Sequence, residues 1–395
     1  MSLLMPHILT QHLIDPAVCI RCNSCEEACP QGAIVHDENN YVVDAARCNH
    51  CKACVAPCPT GAIDQWHAVE QPYTLEEQFG WDDLPAVAPL SAAQADGCTA
   101  VPDTLPAVSE TVAPAVIAPL SAAKPVVHLY GRAHPVTATL LSNKRATQAG
   151  ADNDVRHIVL DFGAHPMPVL EGQSIGIIPP GLDERGRAHI ERLYSVASPR
   201  NGERPGTNTV ALTVKRESHG LCSNYLCDLL PGQTVQVVGP FGTTFLMPED
   251  PQSHLIMVCT GTGVAPFRGF IEHRLRSMRH ASGELLVFFG GRRPEELPYF
   301  GQQENLPEGF LEHYLCFSRD PGQPRMYVQD HIRNSAGRLR SLLLDPKTHV
   351  YICGLKGMEV GVEDAFADIL QGAEGAWAAQ RETMSATGRY HVETY

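Results

Sequence analysis

The sequence predicts a three-part chain: a small α+β unit, an antiparallel β-barrel, and an α/β domain with a parallel sheet. A cysteine motif that occurs twice within residues 1–70 indicates the first part. Alternating apolar runs such as TVALTVKR, separated by Gly and Pro, follow from about residue 126 and are typical of antiparallel strands. From about residue 249, short wholly apolar runs such as LIMVCTGTG alternate with helical stretches, which is typical of a parallel sheet covered by helices.

Length, charge and the N-terminus narrow the class of protein. The 395 residues are too many for one ordinary core. The formal net charge is −14 and no Lys/Arg cluster is visible, which argues against nucleic-acid binding. No run approaches the roughly 18 apolar residues of a membrane span, and no export signal is visible, so we expect a cytoplasmic protein. In that compartment, fourteen cysteines favour metal binding or chemistry over disulfides.

Each cysteine motif has the form C-x2-C-x2-C-x3-C-P, first as CIRCNSCEEACP and again as CNHCKACVAPCP. This spacing is typical of [4Fe–4S] clusters, in which three close thiolates hold one cluster and the Cys before Pro ligates the other. Zinc sites and disulfides are the alternatives, but zinc favours two separated pairs of ligands. The motif therefore predicts two crossed clusters with these ligands: Cys19, Cys22, Cys25 and Cys58 for the first, and Cys48, Cys51, Cys54 and Cys29 for the second.

Residues 15–67 resemble the bacterial two-cluster ferredoxins, including the CPxGAI ending of each half. The resemblance implies two clusters that each pass a single electron. We therefore expect a ferredoxin domain over residues 1–70.

Residues 71–125 are rich in Ala, Pro, Val and Ser and contain APLSAA twice. Frequent Pro disfavours long helices and paired strands, so this composition favours an extended linker. A segment packed against a neighbouring domain is the alternative. We expect the barrel over residues 126–248 and the α/β domain over 249–395.

Two further motifs carry recognisable chemistry. In RLYS, Arg192 can pair with a phosphate, Tyr194 can stack on a flat ring, and the Ser195 hydroxyl can reach a ring nitrogen. An ordinary strand with a surface Arg is the alternative. In CTGTGVAPFRGF, a glycine loop between an apolar strand and a helix suits a pyrophosphate, although it matches neither GxxxxGK[ST] nor GxGxxG.

Taken in order, these blocks resemble the plant-type ferredoxin–NADP reductases. The resemblance covers about residues 126–395 and includes SRD…RMYVQ, YICGLKGMEVGVEDAF and a final VETY. It implies an NADPH-dependent oxidoreductase with FAD on the barrel and NADP on the α/β domain. The FAD site that it implies consists of Arg192, Leu193, Tyr194, Ser195, Thr213, Lys215, Leu221, Cys222, Ser223 and Tyr395.

The coenzyme preference follows from charge. A 2′-phosphate calls for cations and hydroxyls, which Ser318, Arg319 and Arg325 supply, and Tyr327 can stack on adenine. No acidic residue of the kind that binds an NAD ribose is seen, so we predict NADPH rather than NADH. Solvated surface charges are the alternative. The full NADP site that the resemblance implies is Lys215, Thr260, Gly261, Gly291, Arg292, Ser318, Arg319, Arg325, Tyr327, Gln329, Gly354, Leu355 and Glu393.

The same resemblance implies the catalytic residues. Ser195, Cys353 and Glu393 correspond to the side chains that line the hydride path. Tyr395 corresponds to the terminal Tyr that covers the flavin until nicotinamide displaces it.

The whole architecture resembles the family of reductase components that serve benzoyl-CoA 2,3-epoxidases. This implies that electrons pass from NADPH to FAD, then to two [4Fe–4S] clusters, and finally to a separate di-iron oxygenase that epoxidises benzoyl-CoA during aerobic aromatic degradation. No motif for a CoA pocket or a di-iron site is visible, so the ring chemistry is expected elsewhere. A general ferredoxin–NADP reductase, the reductase of another oxygenase, and a flavin/iron–sulfur redox sensor stay open as alternatives.

Overall fold

A computed structural model describes residues 9–17, 19, 21, 23–55, 58, 62–63, 66–69, 71–85, 119, 121–183, 186–299, 306–370 and 376–395. The chain divides into two compact units, residues 1–115 and 116–395. Within the described ranges, no helix is both long enough and apolar enough to cross a membrane.

The first unit consists of short antiparallel ribbons around the cysteine motifs. Strand β1 pairs with β4 and β2 pairs with β3, in both cases antiparallel. Strand β2 follows the first motif and β4 follows the second, so each CPxGAI sequence leads toward a strand. The elements are β1 (Leu9–His12), α1 (Ser24–Glu27), β2 (Ile34–His36), β3 (Tyr41–Val43), β4 (Trp66–Val69) and α2 (Leu75–Phe79).

Residues 71–85, which the sequence analysis assigns to the start of a linker, lie within the first unit and pack against β3. Helix α2 is held by a capping box between Thr74 and Glu77. Its Gln78 side chain is 2% exposed, donates to the Val43 carbonyl at 3.0 Å and accepts from the Val43 N–H at 3.1 Å. The Trp81 carbonyl accepts a hydrogen bond of 2.7 Å from the Asn40 amide. A buried amide that bonds both polar groups of one strand residue fixes this segment to β3.

At the other end of the predicted linker, residues 121–125 belong to the second unit. The Ser121 carbonyl accepts a hydrogen bond from the Glu249 N–H at 3.3 Å. The positions between these two ends, 86–118 and 120, lie outside the described residues, and so does Cys98.

The second unit begins with the predicted antiparallel barrel. Six strands run in the order β8-β7-β10-β5-β6-β9 with every neighbouring pair antiparallel. A bridge between Val196 and Leu212 joins the two edges, so the sheet closes. The elements are β5 (Val136–Arg145), β6 (Val155–Asp161), β7 (Ser174–Ile178), β8 (Arg192–Ser195), β9 (Thr209–Lys215), α3 (Leu221–Asp228) and β10 (Thr234–Phe241).

The predicted α/β domain follows, with a parallel sheet in the order β13-β12-β11-β14-β15. Alternate residues of β11 enter different cores: Met257 packs with Phe270 on one face, and Val258 packs with Phe366 on the other. The elements are β11 (His254–Thr260), α4 (Val264–Ser277), β12 (Leu285–Gly291), β13 (Glu312–Phe317), α5 (Val328–Asn334), α6 (Ala336–Leu344), β14 (Thr348–Gly354), α7 (Met358–Ile369), α8 (Ala376–Ala386) and β15 (Tyr390–Thr394), with short 3₁₀ turns at Gly261–Gly263 and Pro294–Glu296.

The strand order positions the candidate site. From β11 the chain adds β12 and β13 on one side, then crosses to the other side for β14 and β15. Ligands of such sheets bind in the crevice at the carboxyl ends of the strands where the order reverses. That switch point lies between the ends of β11 and β14, at Thr260 and Gly354.

Candidate active site

The carboxyl ends of β11 and β14 approach each other through glycine. A Cβ on Gly263 would lie 2.1 Å from the Cys353 carbonyl oxygen, and a Cβ on Gly354 would lie 2.5 Å from the Thr260 hydroxyl. The Gly261–Gly263 turn leads into α4, whose first N–H groups have no side-chain cap. Uncapped N–H groups at the start of a 14-residue helix suit a pyrophosphate, so the residues present fit a dinucleotide.

Three side chains form a row across this end of the sheet. Cys353 is in register with Cys259 on one side and with Glu393 on the other. Register partners in neighbouring parallel strands point to the same face. Burial, and secondly the nearby Glu393 carboxyl, raises the pKa of the Cys353 thiol well above its usual value. Burial raises the pKa of Glu393 to about 7. The row therefore pairs a protonated thiol with a carboxyl that can hold or release a proton near neutral pH.

Tyr395 lies beside the same turn. Its N–H donates to the Gly354 carbonyl at 2.9 Å, and its carbonyl accepts from the Lys356 N–H at 3.1 Å. Its phenol oxygen is 2.6 Å from the Thr262 hydroxyl, and the residue is 57% exposed. The phenol is thus held by one hydroxyl contact, which can break while the backbone bonds stay in place, as a displaceable cover requires.

The barrel contributes a second set of side chains through β8. The Arg192 guanidinium bonds only to the carbonyls of Ile190 and Glu191, at 3.1 and 3.2 Å, and has no acidic partner in the described parts of the chain. Burial and the neighbouring Cys222 thiol raise the pKa of Tyr194, which packs on the barrel core beside Leu193. The Ser195 hydroxyl has no hydrogen-bond partner among the described residues. A guanidinium without an acidic partner fits the phosphate of a flavin nucleotide, and a hydroxyl without a hydrogen-bond partner fits its ring.

The start of α3 adds backbone donors to this set. Its N-cap, Gly220, supplies no side-chain cap. The Cys222 thiol donates to the Ile177 carbonyl at 3.7 Å, and the Ser223 hydroxyl accepts from the Glu217 N–H at 3.2 Å. Leu221 is half exposed. Because both polar side chains are engaged locally, it is the α3 N–H groups that are available to an anion.

Two further residues of the predicted cofactor sites, Thr213 and Lys215, also have protein partners. The Thr213 hydroxyl is buried 2.6 Å from the phenol oxygen of Tyr299. The Lys215 ammonium lies 2.7 Å from the Glu217 carboxylate. The contacts with Tyr299 and Glu217 therefore give these two side chains a structural role in addition to the predicted cofactor-binding role.

The residues predicted to select the coenzyme come together at the ends of β12 and β13. Backbone bonds join Ser318 to Gly291 at 3.1 Å and Arg319 to Arg292 at 2.8 Å. Met326 bonds back to Phe317 at 2.9 Å, which closes residues 318–325 into one loop. Within the described residues, none of the guanidinium groups of this loop and its neighbour has an acidic partner: Arg292, Arg319 and Arg325. Beside the loop, Tyr327 is 43% exposed, whereas Gln329 packs toward Gly361 of α7.

In the first unit, four cysteines surround one cavity. These are Cys29 of the first motif with Cys48, Cys51 and Cys54 of the second. The Ala33 N–H donates to the Cys29 sulfur at 3.3 Å, and the His12 ring lies 3.7 Å from the Cys54 sulfur. This grouping is the set expected for the second crossed cluster.

The other predicted ligands are only partly described. Cys25 and Cys58 are buried, Cys19 is partly exposed, and Cys22 lies outside the described residues. Across the described ranges, no cysteine forms a disulfide, and no group of three or more His, Cys, Asp or Glu side chains converges to hold a single metal ion.

The backbone repeats between the two motifs. The residues on either side of the central cysteine have φ between 57° and 66° in both, namely Arg21 and Asn23 in the first, and His50 and Lys52 in the second. Positive φ costs a non-glycine residue free energy, so it persists only where the surroundings require it. Two left-handed residues per loop turn the chain tightly and are consistent with three cysteines wrapped around one object.

Comparison with known proteins assigns both units. Residues 257–364 match the oxidoreductase NAD-binding domain, and residues 18–62 match the 4Fe-4S dicluster domain. A ferredoxin–NADP reductase from Spirulina sp. is 38% identical over 289 residues, which cover 68% of this chain and 98% of the relative. The chloroplastic leaf isozyme 2 from Oryza sativa subsp. indica is 35% identical over 291 residues, covering 68% of this chain and 78% of the relative.

The chain belongs to the ferredoxin–NADP reductase family.

A solved ferredoxin–NADP reductase from Plasmodium falciparum has the same fold, with a TM-score of 0.55 and 22% identity over 68% of this chain and 99% of that one. As a member of this family, the protein is an NADPH-dependent oxidoreductase, and the family implies FAD and NADP as cofactors. Its 4Fe–4S domain adds an iron–sulfur centre. The predicted fold and enzyme class are confirmed.

Several residues of this reductase site were not predicted. Thr262 and Gly263 belong to the CTGTG motif, but their contacts with Tyr395 and Cys353 arise only in the folded sheet. Cys259 follows from strand register with Cys353. No sequence signal marks Tyr299, because its partner Thr213 lies 86 residues away.

Proposed function

We propose that this protein is the reductase component of a two-component oxygenase, which passes electrons from NADPH through FAD and two [4Fe–4S] clusters to a separate di-iron oxygenase. The observation that carries the proposal is the presence of a 4Fe–4S dicluster domain and a ferredoxin–NADP reductase in one chain. Bound FAD supplies the conversion between two-electron transfer from nicotinamide and one-electron transfer to the clusters. The clusters would then supply the acceptor protein with single electrons.

The chain's own residues have distinct tasks in this proposal. Arg192 and the α3 N–H groups would bind the flavin phosphates, and Ser195 would orient the ring. Arg319 and Arg325, without acidic partners, would bind the 2′-phosphate of NADPH. Glu393 would hold a proton beside Cys353, where its pKa of about 7 keeps both protonation states accessible.

Support for two clusters comes from the repeated motif and its backbone. Cys29 of one motif joins three cysteines of the other around a single cavity, as crossed ligation requires. The equivalent left-handed residues beside Cys22 and Cys51 argue that the first loop wraps a cluster in the same way. We therefore assign the first cluster to Cys19, Cys22, Cys25 and Cys58.

We further propose benzoyl-CoA epoxidation as the reaction served by the acceptor protein. The proposal rests on the likeness of the three-part architecture to that reductase family. The partner would be the benzoyl-CoA epoxidase subunit, and the protein would act in aerobic degradation of aromatic compounds.

A general ferredoxin–NADP reductase is the second candidate function. It is favoured by the names of the relatives, which are ferredoxin–NADP reductases. In that role the protein would also work in the reverse direction, with its ferredoxin domain collecting electrons to make NADPH. The two candidates differ in whether a dedicated oxygenase accepts the electrons.

Anaerobic stopped-flow mixing of the holoprotein with NADPH or NADH tests the electron path. We expect rapid loss of flavin absorbance with NADPH, followed by loss of the broad iron–sulfur absorbance. Flavin reduction without any response of the clusters would contradict the path. Clusters that are reduced only by an external low-potential donor would favour the reverse direction.

The 2′-phosphate assignment is tested in the same assay with Arg319→Ala. Removing one charged phosphate contact should raise the KM for NADPH about tenfold or more and leave that for NADH unchanged. Arg333→Ala is the matched control, because Arg333 is paired with Asp368 at 2.6 Å in the same domain. An equal rise in the KM for NADPH and for NADH in Arg319→Ala would refute the assignment of Arg319 to the 2′-phosphate.

The acceptor is tested by adding purified benzoyl-CoA oxygenase, benzoyl-CoA and oxygen. We expect one NADPH to be consumed for each epoxide formed. An oxygenase that stays inactive while a soluble ferredoxin is reduced rapidly would favour the general reductase.

A further inference from the structure

Helix α4 joins the dinucleotide turn to the barrel. It begins directly after the Gly261–Gly263 turn. Its Ala265 packs in a buried cluster with Ala197 and Ala211 of the barrel. A Cβ on Gly269 would lie 3.2 Å from the Ser198 carbonyl, so the helix and the segment after β8 are in close backbone contact.

An ion pair fixes this contact. The Arg268 guanidinium binds both carboxylate oxygens of Glu203, at 2.7 and 2.8 Å, and also donates to the Ala197 carbonyl at 2.8 Å. Both side chains are largely buried, at 15% and 20% exposed. About two turns further on, Arg276 donates to the carbonyls of Gly202 and Glu203, both at 3.1 Å. A bidentate arginine–carboxylate pair is geometrically specific as well as strong.

A second layer of polar groups supports the pair. Glu203 accepts from His157 of β6 at 3.2 Å, and the other nitrogen of His157 lies 3.0 Å from the phenol oxygen of Tyr299. That oxygen also contacts the Thr213 hydroxyl of β9 at 2.6 Å. Arg268 stands 5.3 Å from the centre of the Tyr299 ring. Although burial opposes ionisation, hydrogen bonds from His157 and Arg268 lower the pKa of Glu203 to about 2, so the pair is ionised at neutral pH.

The pair lies a few residues from both halves of the active site. Arg268 is one turn after Val264, where α4 leaves the dinucleotide turn. Ala197, which accepts from Arg268, is two residues after Ser195. Through these short connections, the distance between the barrel site and the dinucleotide site depends on the pair.

We propose that Glu203 and Arg268 are positioning residues that fix the start of α4 relative to Ser195, and thereby set the approach of the bound nicotinamide to the flavin. Neither residue touches the coenzyme or the flavin in this proposal. Hydride transfer depends steeply on distance, and a displacement of about 1 Å costs on the order of a hundredfold in rate. Binding of the adenosine end of NADP depends on residues at another edge of the sheet and should be insensitive to the pair.

The test uses the full-length holoprotein with Glu203→Gln, Arg268→Met and the double variant. We expect the rate of flavin reduction at saturating NADPH to fall about 10- to 100-fold, while the dissociation constant of NADP⁺ changes less than about threefold. The double variant should be about as slow as either single variant, because the two residues act as one unit. Arg333→Ala, which breaks an exposed ion pair between α5 and α7, should leave the rate unchanged.

Hydrogen–deuterium exchange supplies a readout that is independent of activity. Amides of residues 197–203 and of the first turn of α4 should exchange faster in the variants, with the core strands unaffected. An unchanged rate of flavin reduction would overturn the proposal. So would a fall in rate that matches a proportional loss of NADP⁺ affinity, because that pattern indicates a structural role only.

Tyr299→Phe is a milder variant that tests the proposal even where the variants that remove a charge do not fold. It removes only the hydroxyl that links Thr213 to His157. We expect a threefold to tenfold slower flavin reduction and the same direction of amide exchange. No change in either measurement would also overturn the proposal.

Discussion

Glu393 shows how one position on a strand can serve proton chemistry. It lies beside Cys353 at the end of the parallel sheet, where burial raises the pKa of its carboxyl to about 7. An unfolded chain would ionise the same group near its ordinary value of about 4.5. The folded protein therefore maintains this group at a cost in stability.

Replacing Glu393 with Gln should change how stability depends on pH. Between about pH 4.5 and 7 the folded state binds more protons at this site than the unfolded state, so wild-type stability falls as the pH rises. The Gln variant lacks this loss. The difference in free energy of unfolding between the Gln variant and wild type should therefore shift in favour of the variant by up to about 3 kcal/mol from pH 4 to pH 8. Urea unfolding followed by circular dichroism measures both free energies of unfolding. A difference between the two proteins that does not vary with pH would refute the raised pKa of Glu393.

Gly263 is a second residue whose identity the structure requires. Gly263→Ala would bring a methyl group within 2.1 Å of the Cys353 carbonyl and force β14 and α4 apart. We expect a loss of at least tenfold in NADPH-dependent flavin reduction and a lower melting temperature. The matched control is Gly337→Ala in α6, where nothing lies within 4 Å and the change should stabilise by up to about 1 kcal/mol. Similar melting temperatures for both variants would contradict the steric argument.

At this scale, the sequence predicted residues that sit in motifs and missed those that depend on tertiary contact. Ser195, Cys353 and Arg319 occur within recognisable blocks. Glu203 and Tyr299 occur within segments that have no distinguishing pattern, and their partners are distant in sequence. The family resemblance also implied a cofactor role for Thr213, but it did not reveal the contact of Thr213 with Tyr299.

At the scale of helices and strands, helix α2 shows where prediction from the sequence fails. Strand β9 was predictable from an alternating apolar run, and β11 and β14 were predictable from short continuous apolar runs. Helix α2 has only five residues, and it precedes a region whose Pro and Ala content favours a linker. Its position is set by the Gln78 amide and by the Trp81 carbonyl, and composition does not register such contacts.

The contribution of α2 can be measured through Gln78→Leu. The variant leaves the Val43 N–H without a side-chain partner and the Val43 carbonyl with only the 3.5 Å contact from the Gln11 amide, which costs about 1–3 kcal/mol. We expect faster loss of the visible iron–sulfur absorbance in urea. Glu76→Gln, an exposed change on the same helix, serves as the control. Equal rates of absorbance loss in the two variants would mean that residues 71–85 do not stabilise the first unit.

At the scale of the whole molecule, the division into residues 1–115 and 116–395 has a kinetic consequence. The predicted linker would hold the two units at an effective concentration of up to about millimolar. Cutting the chain at a protease site inserted within residues 86–118 should leave flavin reduction unchanged. Reduction of the iron–sulfur centres should become dependent on protein concentration and slow on the order of a hundredfold at micromolar protein.

Stopped-flow measurements on cut and uncut protein at several concentrations would show whether reduction of the iron–sulfur centres depends on the intact chain. Concentration-independent reduction after cutting would show that surface contact, rather than the chain, keeps the units together. An uncut protein that carries the same inserted site controls for the insertion itself.

Two groups of residues lie far apart in the parallel sheet, and this has a practical consequence for changing the coenzyme preference of the enzyme. The loop with Ser318 and Arg319 follows β13 at one edge, whereas Cys353 and Glu393 lie on β14 and β15 at the opposite side, with β12 and β11 between them. On the proposed assignment of the 2′-phosphate to Arg319, changing the coenzyme preference to NADH calls for substitutions at one edge of the sheet only. The reacting end of the site could be left untouched, so a cheaper electron donor need not come at the expense of turnover.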